Sequence, residues 1–538
     1  MRIRRSYASI VLGIFLLALL GACGGGGGSS SPAPVATTTI TGTVFAAPVR
    51  GARVSAKNAS GYTVAGPVTT SSDGAFSIDV PTVSLSGDLR IESEEGTYLD
   101  EATGETTTAG RLAAFAPSGS LRAGSSVNLD PSSTIICDLV TGQGKTLAEA
   151  NTIFTSAFGY TPDTSVSPIN APSPGTDKSQ SLAGLRAIAF SQLTYDLGLG
   201  AERQFDMLAA LGQDLSDGIL DGKNGTAPVM IVAGAEMPED IQNKFEDSLL
   251  GLLANTAVNQ TGLTADQVGA LPFSKTVMTA GYKVEYIPGA MAAAQGKTMF
   301  TIRLTDRTTG KPAAGKAVGL MPKMHMASMS HSAPVGAVID NNDGTYSCTV
   351  YYLMASGPGM GIWELKVTIG GMSGESATFY PSVGMSMGTT SKANLKGVAD
   401  LIPAMGGTGT TSRTYPLFYD GMSGGMGGSS TFRLFIAASD DMMLMKWPAV
   451  SIGTTLHDQN GTAWTVNSMT VEASTDKSAW LPGTDDGNGH WSVPGLTGLS
   501  SGGAVYVRVV VNGEQKTTDG KSVSGDNGYQ TFTVVSGM

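Results

Sequence analysis

Cysteine, histidine and charge are all scarce in this 538-residue chain, and each shortage closes off a class of function. Three cysteines and four histidines leave no room for a disulfide framework or a paired-cysteine zinc motif. Charged residues make up 14% of the chain, the net charge is −11, and no Lys/Arg cluster follows the first five residues. That argues against a nucleic-acid footprint and against an electrostatic grip on anionic lipid. No His-Glu-x-x-His and no dinucleotide fingerprint occurs, and Gly144-Lys145-Thr146 lacks the upstream glycine of a P-loop. Gly384-Met385-Ser386-Met387-Gly388 and Gly421-Met422-Ser423-Gly424-Gly425 match Gly-x-Ser-x-Gly, but a nucleophile elbow needs a strand-turn-helix setting and a histidine base. Both matches sit in Gly/Met-rich stretches of a region read as β-sandwich. Nothing in the sequence argues for an enzyme.

The one marked apolar run is short. Arg2, Arg4 and Arg5 precede Ile10–Leu20, about half the roughly 20 residues a spanning helix needs. This is a three-part export signal, removed or processed rather than folded. Its end, Leu20-Gly21-Ala22-Cys23, resembles the lipobox of bacterial lipoproteins, whose cysteine is acylated and becomes the new N-terminus. The resemblance implies a lipid anchor on Cys23 and, with Gly24 rather than aspartate following, the outer membrane. Several acyl chains at roughly 0.8 kcal/mol per buried methylene make a stable anchor. Gly24–Gly28 and the Ser/Pro-rich stretch behind them read as a flexible tether.

Six segments follow from composition and period: signal 1–22, linker 23–38, a β-sandwich 39–129, an α-helical region 130–273, and two further β-sandwiches 274–390 and 391–538. The fold class expected is multidomain and mainly β, with Ig-like or transthyretin-like sandwiches and an intervening α-helical bundle. In the first sandwich Ala52, Val54 and Ala56 alternate with polar residues, as do Phe76, Ile78 and Val80 after the Asp73-Gly74 turn. Gly42-Thr43-Val44, Val49-Arg50-Gly51-Ala52 and Asp73-Gly74-Ala75-Phe76 resemble the carboxypeptidase regulatory-like domain, a non-catalytic module of exported proteins. Leu147–Phe158, Ser181–Leu197, Glu202–Leu220 and Pro238–Val258 carry helical spacing. Asp214, Asp217, Asp221 and Asn224 lack the spacing of a calcium loop and read as a solvated helix end. Cys137 and Cys348 fall in different segments, so their pairing stays open.

From about Ser274 the chain repeats itself. Met299–Leu304 matches Thr431–Ile436, Asp343–Ser347 matches Asn488–Ser492, and Ile362–Val367 matches Val505–Val510, at offsets of 132, 145 and 143. In the first copy Phe300–Asp306, Gly310-Lys311-Pro312, Met321–His325, Asn342–Tyr346 and Gly361–Leu365 resemble the YtkA-like, FixH-related extracytoplasmic domain. The resemblance covers about a fifth of the chain and implies copper handling, or a part in assembling respiratory oxidases, with envelope or respiratory proteins as partners. The second copy has no Met-Pro-x-Met-His.

Methionine is as abundant as histidine is rare: 18 of 24 lie between Met278 and Met445. Met321, Met324, Met326 and Met329 interleave with His325 and His331 within eleven residues. Neutral thioether sulfur is a soft donor that suits Cu(I), and imidazole suits both copper states. On a strand, Met324 and Met326 would share a face with His325 turned away, whereas a loop could fold several sulfurs onto one ion. Met354, Met360, Met385, Met387, Met422 and Met426 could add donors. Against this, methionine is an adaptable core filler, and Met442-Met443-Leu444-Met445 reads as core. Two functions stay open: a non-enzymatic outer-membrane lipoprotein that binds or passes copper through this cluster, and a structural or interaction lipoprotein with no metal role.

Overall fold

A computed structural model of the chain describes residues 35–269, 271–404, 408–424, 428–440, 446–458 and 460–534. Cys23 and the expected signal, most of the expected tether, Met426 and Met442–Met445 lie outside the described residues. The architecture is mainly β, in many small antiparallel sheets with helices between them. Among the described residues no helix is long and apolar enough to cross a membrane.

In the first region Thr37–Thr43 pairs with Ala75–Pro81, facing a four-stranded sheet in the order Thr63–Thr69, Arg53–Asn58, Leu89–Glu94, Leu112–Ala116. The period-two residues Val54, Ala56, Ile78 and Val80 are all buried between them. Gly74 turns the chain at φ +79°, where a Cβ would lie 2.5 Å from the Val44 carbonyl oxygen, so only glycine fits.

Helices occupy Pro131–Thr141, Leu147–Phe158, Lys178–Asp196, Gln204–Asp214, Ile241–Ala254 and Ala265–Val268. Asp130, Thr146 and Asp177 cap the first three through reciprocal capping boxes. The helices do not stand apart from the sandwich. Ile40, Val44 and Leu129 belong to the same buried cluster as Ile135, Phe154, Leu185, Phe190 and Phe245, so the core runs unbroken across residue 130. Asp214 is fully buried, not solvated, and its carboxylate fastens the following turn by accepting from the Asp221 and Gly222 N–H groups.

The two C-terminal units share a plan. In the first, a five-stranded sheet (Thr276–Met278, Tyr282–Pro288, Gly296–Asp306, Thr345–Tyr352, Ile339–Asp340) faces a four-stranded one (Ser330–Ser332, Val318–His325, Ile362–Ile369, Glu375–Phe379). In the second, Ser430–Ile436 pairs with His490–Leu496, and Gly503–Val511 is the central strand of the opposing sheet. The internal repeat is visible in the register: Ile302 lies opposite Tyr346 as Leu434 lies opposite Trp491. The units meet where Tyr351 stacks on Phe435 at 3.9 Å. Beside that stack Asp420 accepts from Lys297 Nζ (2.8 Å), Tyr351 Oη (3.0 Å) and His490 Nδ1 (2.9 Å). Cys137 and Cys348 are free and buried, and burial pushes their thiols up to about 11 and about 12.

The helix Ile241–Ala254 is tied by hydrogen bonds to the Glu375–Phe379 edge of the four-stranded sheet of the first repeat. Asn243 donates to the Ser274 and Thr378 carbonyls and accepts from the Ser274 N–H, and Tyr380 donates to Asp247. On the same helix Glu246 is fully buried, and neither carboxylate oxygen has a hydrogen-bond partner among the described residues. Burial, with Asp247 next to it, raises this carboxyl well above its ordinary value. A carboxyl raised on folding binds its proton more tightly in the native state, so stability falls as pH rises from the unfolded value toward the folded one. Glu246→Gln, neutral at every pH, is expected to remove this slope. Urea denaturation between pH 4.5 and 8 checks it: the wild type loses more stability across that window than the variant, whereas parallel curves would contradict the assignment.

Candidate metal centre

The Met/His stretch folds as a hairpin, not as an irregular loop. Val318–His325 runs beside Ile362–Ile369 and turns back into Ser330–Ser332, with Lys323–His325 paired to Ser332–Ser330. Pro322 lies beyond the short return strand, where that side of the sheet is an edge and a missing N–H is tolerated. Alternation then sorts the side chains. Leu320, Pro322 and Met324 are buried, while Met321, Lys323 and His325 face outward.

The six residues singled out from the sequence therefore separate into three places. Met324 (0% exposed) and His331 (8%) are opposite each other on one rung and face the core. His325 lies on the other face, its Nε2 2.6 Å from Glu364 Oε2. Burial would raise the Glu364 carboxyl, but the hydrogen bond and charge of His325 override it and hold it below its ordinary value. Met321 is 44% and Met329 40% exposed. Met326 is half-buried at the turn, where its N–H donates to the Met329 carbonyl at 3.1 Å. The physical reason is the strand itself, which continues through His325 and cannot present neighbouring residues to one point.

What the fold does assemble is a smaller set. His331 Nδ1 lies 2.7 Å from the Ser332 carbonyl oxygen, which can only accept, so Nδ1 carries the hydrogen. Nε2 then presents its lone pair, and 3.5 Å away is Met354 Sδ. Burial, with the Lys392 charge nearby, pushes the His331 imidazole below its ordinary value, against the opposing effect of the Ser332 hydrogen bond. The imidazole is neutral at pH 7, and two Lewis bases face each other with no proton between them. Trp363, also opposite Met324 in the sheet, fixes the arrangement. Its indole N–H donates to the Met354 carbonyl (2.9 Å) and its ring meets the imidazole edge-on at 5.4 Å.

The donor chemistry fits a soft ion. With metal–nitrogen and metal–sulfur bonds of about 2.0 and 2.3 Å, donors separated as these are subtend about 110° at a shared ion. A histidine that ligates a metal usually ties its other nitrogen to a carbonyl or carboxylate, as His331 does. Among the described residues no three His, Cys, Asp or Glu side chains cluster as a metal site, so a site here has to draw on thioethers. Met354 stood in the sequence as one of six methionines that could add donors and Trp363 as part of the Gly361–Leu365 stretch, but nothing there paired either with His331 or pointed to Lys392. Met385 and Met387 are largely exposed, and Met422 packs on the second repeat. Neither Gly-x-Ser-x-Gly stretch is an elbow: Gly421-Met422-Ser423 ends a strand, and no described helix follows either.

No family model and no curated protein matches the chain. Among solved structures, invasin, a bacterial integrin-binding protein, aligns at 14% identity over 44% of this chain and 58% of its own, with a TM-score of 0.14. Domains 4–9 of the surface layer protein SbsC align at 12% identity over 49% and 32%, with a TM-score of 0.15. TarS of S. aureus aligns at 9% identity over 71% and 62%, with a TM-score of 0.15. Each match spans less than two thirds of the solved chain, and superpositions this loose carry no argument about fold or function.

Proposed function

We propose that this chain is a non-enzymatic outer-membrane lipoprotein, anchored through Cys23, whose first Ig-like repeat binds Cu(I) at His331, Met354 and Met324. In this reading 39–129 is the carboxypeptidase regulatory-like sandwich, 130–273 contributes the helical bundle, and 274–390 is the YtkA-like unit. The observation that carries the metal reading is the His331 Nε2 lone pair held 3.5 Å from the Met354 sulfur. Two acceptors gain nothing from facing each other, whereas an electrophile between them satisfies both. All three donors are neutral, and the Lys392 ammonium, which donates to the Leu353 carbonyl at 2.7 Å, adds positive charge nearby. Both features disfavour a dication and favour a monovalent soft ion. Met321, His325 and Met329 have no direct part in this inner site. Envelope or respiratory proteins are the partners such a carrier would serve.

Competition titration of the full chain with Cu(I) under anaerobic conditions tests this. The wild type is expected to bind one Cu(I) tightly. His331→Ala and Met354→Leu each lose at least about tenfold in affinity, the scale on which a lost ligand or its support acts, while His325→Ala stays at the wild-type value. Equal and weak uptake by all four proteins would leave a structural or interaction lipoprotein as the function.

A further inference from the structure

The inner site lies near one end of the first repeat's sandwich, and the turn and loop beside it again carry methionines. The turn that joins the two hairpin strands carries Met326 and Met329, closed by the Met326 N–H to Met329 carbonyl bond. Across from it is the loop from Met354 to Gly361. That loop closes on itself, Gly357 and Gly361 exchanging N–H to carbonyl bonds of 2.9 and 3.0 Å. Asp266 of the helical region braces it by accepting from the Gly359 N–H at 2.6 Å.

The loop sits hard against the hairpin. Gly361 has φ +130°, and a Cβ there would lie 2.1 Å from the His325 carbonyl oxygen and 3.2 Å from Met324 Cε. His325 pairs with Ile362, so one further step of the same register sets Gly361 opposite Met326 and brings Met360 to the hairpin tip. Met326, Met354 and Met360 are all half-buried on the core that contains Met324. Exposure thus rises from Met324 at 0%, through the half-buried Met326 and Met360, to Met329 at 40%.

We infer that Met326, Met329 and Met360 form a second, outer Cu(I) site made of thioethers alone, through which the ion enters and leaves the His331–Met354–Met324 site. This rests on the copper reading above. Thioethers are neutral and need no deprotonation, so an all-sulfur rim takes Cu(I) weakly and gives it up readily. The imidazole makes the inner site the tighter one, and an ion moves inward by exchanging one thioether for the next without passing through water.

The test uses the full chain and Cu(I) supplied as its bicinchoninate complex, with bathocuproine disulfonate as the acceptor for release. Met326→Leu/Met329→Leu/Met360→Leu keeps volume and apolar character, and thermal unfolding checks that it folds. Its equilibrium affinity is expected to stay within about threefold of wild type while uptake and release both slow by about tenfold or more, because the inner donors are untouched. His331→Ala is expected to keep a weak uptake that disappears when the triple substitution is added. Unchanged rates in the triple variant overturn the outer site alone. So does an affinity loss as large as that of Met354→Leu, which would make the rim part of the inner set. A folded wild-type chain that takes up no Cu(I) overturns this inference together with the copper reading.

Discussion

The proposed metal site depends first on a carbonyl oxygen. By accepting from His331 Nδ1, the Ser332 carbonyl fixes the imidazole tautomer and leaves the Nε2 lone pair turned toward Met354 sulfur. Every other feature of the site serves to keep that contact. Trp363 holds the Met354 backbone, the hairpin rung sets Met324 opposite His331, and the sandwich core buries Met324 and His331 while Met354 packs half-buried against it. If His331 took the other tautomer, the same contact would be an ordinary buried N–H···S hydrogen bond.

The surrounding architecture supplies rigidity more than chemistry. The loop bearing Met354 and Met360 is braced from the helical region, and the sheet behind it is clamped by Asn243 and Asp247 on the Ile241–Ala254 helix. That helix packs in the core begun by the N-terminal strands. The site is thus linked, through the Ile241–Ala254 helix, to the core that the N-terminal strands begin. On the far side, the Tyr351–Phe435 stack and the Asp420 cluster tie the repeats together. Lys297 and Tyr351 come from the first repeat, and Asp420 and His490 from the second, so the two units are coupled by charge as well as by apolar contact.

Much of this was legible where side-chain period alone decides structure. The alternation at Ala52, Val54 and Ala56 reads directly as a half-buried strand, and the helical spacing of Leu147–Phe158 reads as the helix found there. The duplication was legible because equivalent core pairs, Ile302 with Tyr346 and Leu434 with Trp491, need similar residues. The helix Pro131–Thr141 was not: its Ser, Thr and Ile residues have little helical preference. A tertiary bond compensates where Thr134 Oγ1 accepts from the Ala113 N–H. At the site, residue types were legible and their grouping was not. Eleven residues dense in donors look like a loop around one ion, yet the strand continues through His325 and sends the two imidazoles to opposite faces. The partner His331 does find is 23 positions away in sequence, reached only across the sheet.

Nitrogen-15 NMR of the metal-free chain, with histidine labelled, reads the tautomer of His331 directly, with His331→Ala used to assign the signal. A protonated Nδ1 and a bare Nε2 at pH 7, the Nε2 resonance moving on addition of one equivalent of Cu(I), is the result the proposed copper site requires. A hydrogen on Nε2, bonded to sulfur and unmoved by Cu(I), would contradict it.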